Sequence, residues 1–69
     1  MSELTVMING ERRQVPGPAT AQSLLEHLEL DPRGVVVELN EKIVRRPQLG
    51  DTAIDDGDRI EVVHFVGGG

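Results

Sequence analysis

Leu4, Val6 and Ile8 alternate with Thr5 and Met7, the period of a half-buried strand. Asn9-Gly10 follows at once, and both residues tolerate positive φ, so the pair predicts a tight hairpin turn. Glu11 to Val15 returns as the second strand, and Pro16-Gly17-Pro18 is expected to end it, because proline offers no ladder donor. Thr20 then stands as a helix N-cap. Beyond it, Ala21, Leu24, Leu25 and Leu28 fall at i, i+3, i+4 and i+7, one buried stripe of a helix. The spacing predicts about two and a half turns closed by Asp31-Pro32. So short a helix needs a sheet to pack against.

The second half is strand-rich. Val35, Val37 and Leu39 should face the core, and Asn40-Glu41 reads as a tight turn into Lys42-Ile43-Val44-Arg45. A left-handed Glu41 there would cost roughly 1 kcal/mol. Pro47 to Ile54 is expected to be irregular, with Leu49 and Ile54 as inward anchors. Asp55-Asp56-Gly57-Asp58 forms a turn, and Ile60 to Val66 makes a β-branched final strand. In that strand Ile60 and Val62 are assigned to the core, which leaves Val63 and Phe65 outward. The order resembles the β-grasp (ubiquitin-like) arrangement: α+β, a mixed sheet of four to five strands with one main helix packed across it. That analogy, not the periodicity, supplies the strand pairing. It makes residues 1–66 the domain and residues 67–69 a flexible glycine tail.

Composition narrows the function. With 69 residues there is room for one domain, and with no cysteine there is neither a disulfide nor a thiolate metal ligand. The net charge of −5 repels nucleic acid on average, and a single aromatic residue, Phe65, excludes the stacking platforms that hold single-stranded nucleic acid. Acidity points instead to a basic protein partner. Arg12-Arg13 and Arg45-Arg46 read as solvated strand ends. No apolar stretch is long enough for a membrane span, and Met1-Ser2-Glu3 lacks a secretory pattern, so a cytoplasmic protein, monomeric when free, is expected.

Internal chemistry is sparse. His27 and His64 have no ligand spacing, and Thr5, Thr20, Ser23 and Thr52 have no histidine motif beside them. Asp55, Asp56 and Asp58 lack the spacing of a calcium loop. No catalytic residue, metal or bound cofactor is expected. The last strand, however, runs from Val66 straight into Gly67-Gly68-Gly69. Without Cβ atoms such a tail can extend into a channel that any side chain would block, with the Gly69 carboxylate at its tip.

The hairpin Ile8-Asn9-Gly10-Glu11, Thr20 with Leu24-Leu25, and Val37-Glu38-Leu39-Asn40 followed by Arg46 carry a family resemblance, with Asp56-Gly57-Asp58, Ile60-Glu61-Val62 and the ending Val66-Gly67-Gly68-Gly69. On these residues the chain resembles, over essentially its whole length, the ThiS family of ubiquitin-like sulfur carriers of thiamine biosynthesis. Glu41 stands where that family has glycine, and Leu49 where an aromatic is common. The resemblance implies a protein co-substrate rather than an enzyme. An adenylyltransferase of the ThiF type would consume ATP to adenylate Gly69. A sulfur donor, a cysteine desulfurase or a rhodanese-type protein, would convert it to a thiocarboxylate (a C-terminal 1-thioglycine). A thiazole synthase of the ThiG type would take the sulfur. Gly67 and Gly68 would thread the partner channel, and Phe65, Val63, Val66 and Glu61 are the docking candidates. The alternatives are the small subunit of a molybdopterin synthase, a protein modifier that forms an isopeptide bond, and an interaction module with an inert tail.

Overall fold

The computed structural model describes residues 2–65. Its elements, in chain order, are β1 (Ser2–Ile8), β2 (Glu11–Gly17), β3 (Ala19–Thr20), α1 (Ala21–His27), β4 (Val35–Leu39), β5 (Lys42–Val44), β6 (Ala53–Ile54) and β7 (Arg59–His64). Short 3-10 helices, Pro32–Gly34 and Arg46–Asp51, join them.

Five strands form one mixed sheet in the order β2-β1-β7-β4-β5, and β3 and β6 make a separate two-stranded ribbon. The last strand lies at the centre, parallel to β1 and antiparallel to β4. Helix α1 closes one face of the sheet. Ala21, Leu24 and Leu25 of the helix are buried with Val6, Ile8, Val15, Val35, Val37, Ile60 and Val62 of the sheet. Leu49 and Ile54 fill the end of this aliphatic core, as their pattern predicts. Leu28 and Leu39 are only partly buried at its rim.

Both hairpins turn as expected. Asn9 and Gly10 have φ of 51° and 84°, and Asn40 and Glu41 have 51° and 73°, so each two-residue loop holds positive φ at both positions. Glu41 therefore does adopt the left-handed conformation, and its exposed contact to Arg59 at 3.9 Å contributes little in return.

Pro47 to Ile54, expected to be irregular, instead holds most of the 3-10 helix Arg46–Asp51 and strand β6, which pairs with β3, and three boundaries differ from the sequence reading. Strand β2 continues through Pro16 to Gly17, with Glu3 facing Pro16 across the pair. It is an edge strand, where one side of the backbone has no ladder for proline to break. Helix α1 ends at His27, short of Asp31-Pro32. Glu29 turns left-handed (φ 61°), its N–H donates to the Glu26 carbonyl at 3.0 Å, and the Leu30 N–H donates to the Leu25 carbonyl at 2.9 Å. This is a Schellman stop, with glutamate where glycine is usual. Asp31 instead caps the following 3-10 turn, accepting from the Arg33 N–H at 2.9 Å and from its guanidinium at 3.0 Å. The Arg33 side chain holds the Asp31 carboxyl below its ordinary pKa. Finally, β7 ends at His64 rather than Val66, which lies outside the described residues.

At the helix start, Thr20 accepts from the Ser23 N–H at 3.1 Å and Ser23 Oγ accepts from the Thr20 N–H at 2.9 Å, a reciprocal capping box.

Two glycine substitutions should move stability in opposite directions. Glu29→Gly relieves a left-handed glutamate and should raise unfolding stability by about 1 kcal/mol. Asn9→Gly keeps the turn but removes two side-chain bonds to Val62 (described below), and should lower it by about 1–3 kcal/mol. Urea titrations of both variants check the pair of signs.

Candidate functional site

The strand that leads to the glycine tail is fixed from both sides. From the β1–β2 turn, Asn9 donates its backbone N–H to the Ile60 carbonyl at 2.9 Å. Its Oδ1 accepts from the Val62 N–H at 2.8 Å, and its Nδ2 donates to the Val62 carbonyl at 3.2 Å. From the β4–β5 turn, Asn40 repeats the device. Its backbone N–H donates to the Arg59 carbonyl at 2.7 Å, and its Oδ1 accepts from the Arg59 N–H at 3.0 Å. Each turn thus supplies a side-chain amide that imitates a further ladder residue beside β7. At the end of the strand the Phe65 N–H donates to the Gly34 carbonyl at 3.0 Å.

The acidic turn before β7 is also structural. Asp56 accepts from the Thr5 N–H at 2.7 Å, while Asp58 accepts from the Asp55 N–H at 2.7 Å and from Asn40 Nδ2 at 3.1 Å. These carboxylates order the turn and the start of the last strand. Among the described residues no three His, Cys, Asp or Glu side chains come together as a metal site. The hydroxyls have structural partners as well: Ser23 Oγ donates to the Thr20 carbonyl, and Thr52 Oγ1 donates to the Gln48 carbonyl. His27 and His64, distant in sequence, line one shallow hollow of about 280 Å³ with Arg13 and Glu29 over Ile8 and Val62. Neither histidine has a nucleophile beside it among these groups.

The face of the sheet opposite α1 is open. Because side chains alternate along β7, burial of Ile60 and Val62 turns Glu61, Val63 and Phe65 to the other side. Val63 is 58% exposed and Phe65 60%, so the assignment of Phe65 to the surface rather than the core holds. The sequence reading gave Ile43 no role, yet it is 65% exposed. It lies opposite Glu38, which in turn lies opposite Glu61, while Val36 lies opposite Val63. The signal was present in the two-residue turn Asn40-Glu41, whose register places Glu38 against Ile43. Beside this row, Met7, Glu38, Glu41, Arg59 and Glu61 border a hollow of about 390 Å³. Val66, Gly67, Gly68 and Gly69, the other residues the sequence singles out, lie outside the described residues.

A five-stranded mixed sheet with a parallel central pair and one helix across it defines a β-grasp protein. Comparison with known proteins goes further. Residues 6–69 match the ThiS family. The crystal structure of the thiamine biosynthesis protein ThiS from Geobacter metallireducens superposes with a TM-score of 0.83 at 32% identity, covering 96% of this chain and all (100%) of that one. The sulfur carrier protein ThiS of Thermus thermophilus is 38% identical over 64 residues, 93% of this chain and 98% of that protein. A thiazole synthase of Paramagnetospirillum magneticum is 41% identical over 66 residues, 96% of this chain. This chain spans only 20% of that enzyme's length. The chain belongs to the ThiS family. No helix of the described residues is long and apolar enough to cross a membrane.

The two faces of β7 should respond differently to truncation. Ile60→Ala should destabilise by about 2–5 kcal/mol. Phe65→Ala, on the open face, should cost less than about 1 kcal/mol. Thermal melts of the two variants decide it, and a large loss in Phe65→Ala would return that ring to the core.

Proposed function

We propose that this chain is a sulfur carrier protein of thiamine biosynthesis whose reactive group is the carboxylate of Gly69. The observation that carries the reading is the family match through residues 6–69, which includes the glycine tail. The fold supports it, because the strand feeding the tail is the central one and is pinned on both sides.

A carboxylate is a poor electrophile, so sulfur transfer needs activation. A Gly69 oxygen attacks the α-phosphorus of ATP on a ThiF-type adenylyltransferase, pyrophosphate leaves, and an acyl-adenylate remains. A persulfide on a cysteine desulfurase or rhodanese-type donor attacks the acyl carbon and expels AMP. A thiol then attacks the donor's sulfur of the acyl disulfide, releasing the thiocarboxylate on Gly69 and leaving the donor joined to that thiol as a disulfide, which a second thiol resolves. The carrier supplies no acid, base or metal to these steps. It supplies a terminus free of side chains that follows in sequence from a strand pinned on both sides, and such transfers depend on positioning. Val63, Phe65, Val66 and Glu61 dock the partner. The similarity of this chain to a segment of thiazole synthases supports a ThiG-type synthase as the acceptor.

Intact-mass analysis of the chain isolated from its own cells should show a fraction with one oxygen exchanged for sulfur, mapped to Gly69 by fragmentation. Unmodified chain alone, even after incubation with the adenylyltransferase, ATP and a persulfide source, would overturn the reading.

A further inference from the structure

Few side chains of this protein could attack an activated carboxyl group. It has no cysteine, and of its seven Lys and Arg residues only Lys42 is a lysine. The two residue types carry the same charge but differ as nucleophiles. A guanidinium stays protonated at every working pH, whereas a lysine releases a small fraction of free amine near neutrality. Placement sharpens the contrast. At the end of β7 the Phe65 N–H donates to the Gly34 carbonyl at 3.0 Å, which sets Arg33 beside the point where residues 66–69 begin. Strand β5 runs in the same direction as β7, and its Val44 is level with Val62 through Val37. Arg45 and Arg46, which follow Val44, therefore lie toward the same end of the sheet. Lys42 lies at the other end, level with Ile60 through Leu39 and two strands away. Five residues along and two spacings across put its backbone roughly 19 Å from that of Phe65. Four residues span at most about 14 Å when drawn out. Gly69 meets the Lys42 amine only if tail and side chain both stretch toward each other, and a tether that barely spans its sites gives almost no effective concentration.

We propose that this arrangement selects the nucleophile: Arg33, Arg45 and Arg46 supply positive charge at the end of the sheet that leads into the tail without supplying an amine, so an activated Gly69 is not captured by its own chain and remains available to sulfur. The proposal rests on the sulfur-carrier reading and adds to it how the outcome of that reaction is protected. In the competing step a lysine nitrogen attacks the Gly69 acyl carbon. A C–N bond forms, the bond to the leaving group breaks, and the amine gives up a proton. The product is a closed ring one water lighter than the free chain, with no terminal carboxylate left to activate again. His64, the imidazole next to Phe65 in sequence, does not end the cycle in this way, because an acyl-imidazole is itself still activated. An amine tethered a few residues from the tail would act at an effective concentration of about a millimolar or more. Arginine at these positions removes that competitor and keeps the charge.

The test uses the full chain prepared with Gly69 as the thioester of a small thiol, an activated terminus that needs no partner enzyme. Wild type, Arg33→Lys and His64→Lys, all altered at exposed positions, are incubated at about pH 8, where more of the amine is free, and followed by intact mass. Fragmentation places any new amide. Both variants should close to the lighter ring at least about tenfold faster than wild type, whose thioester should be lost to hydrolysis. Capture by Lys42 or any other amine of the wild-type chain at the variants' rate, or no ring in either variant, would overturn the proposal. A second arm adds the adenylyltransferase, ATP and a persulfide source to the free chains. There Arg33→Lys should yield ring at the expense of thiocarboxylate, and loading of that variant to the wild-type level without ring would also overturn it. Failure of the carrier reading looks different: the thioesters behave as expected, yet no chain, wild type included, gains sulfur on Gly69.

Discussion

Everything in this small domain depends on how β7 is held. A central strand must satisfy two ladders, and here one of them is a short parallel pairing with β1 in which only Met7 and Ile8 have register partners. Parallel pairing is the weaker kind per residue. Asn9 extends it by offering its side-chain amide to both backbone groups of Val62, and on the other flank Asn40 engages both backbone groups of Arg59. Both asparagines sit at positive φ in two-residue turns, a conformation that asparagine tolerates better than most residues. The same residues therefore reverse the chain and clamp the strand. With no cysteine and an aliphatic core, the domain relies on these bonds where larger proteins have surplus burial.

The clamp links fold to function. Sulfur activation asks one thing of a carrier, that its terminus arrive at a partner's centre with a defined reach. A tail attached to a frayed edge strand would meet that demand poorly. Here residues 66–69 follow the central strand in sequence, and the open face of the sheet carries Val63 and Phe65. The division along β7 follows from alternation: Ile60 and Val62 pack with the helix in the core, and the intervening side chains face away from it.

Much of this was legible in the sequence. The Asn9-Gly10 turn, the Thr20 cap, the Ala21, Leu24 and Leu25 stripe, the inward Leu49 and Ile54, and the outward Val63 and Phe65 all followed from periodicity and turn chemistry. What escaped was tertiary. Nothing local reveals that Asn9 reaches Val62, a residue 53 positions away. Pro16 reads as a strand breaker until β2 is known to be an edge. Helix α1 stops early because Glu29 takes a left-handed conformation in which the sequence leads one to expect glycine. Ile43 was passed over because a three-residue strand shows too little alternation to assign its faces. The glycine tail was conspicuous, but its meaning came from the family, since glycines alone equally suit an inert tail.

The central claim is that chemistry at Gly69 depends on reach and not on the stability of the domain. The most direct measurement is ATP–pyrophosphate exchange catalysed by the partner adenylyltransferase, run with the intact chain, with Gly69 deleted and with one residue appended after it. The account predicts that both altered chains lose exchange while melting as the intact chain does, because among the described residues Val62 is the last one buried in the core. Exchange at the intact chain's rate with either altered terminus would contradict it.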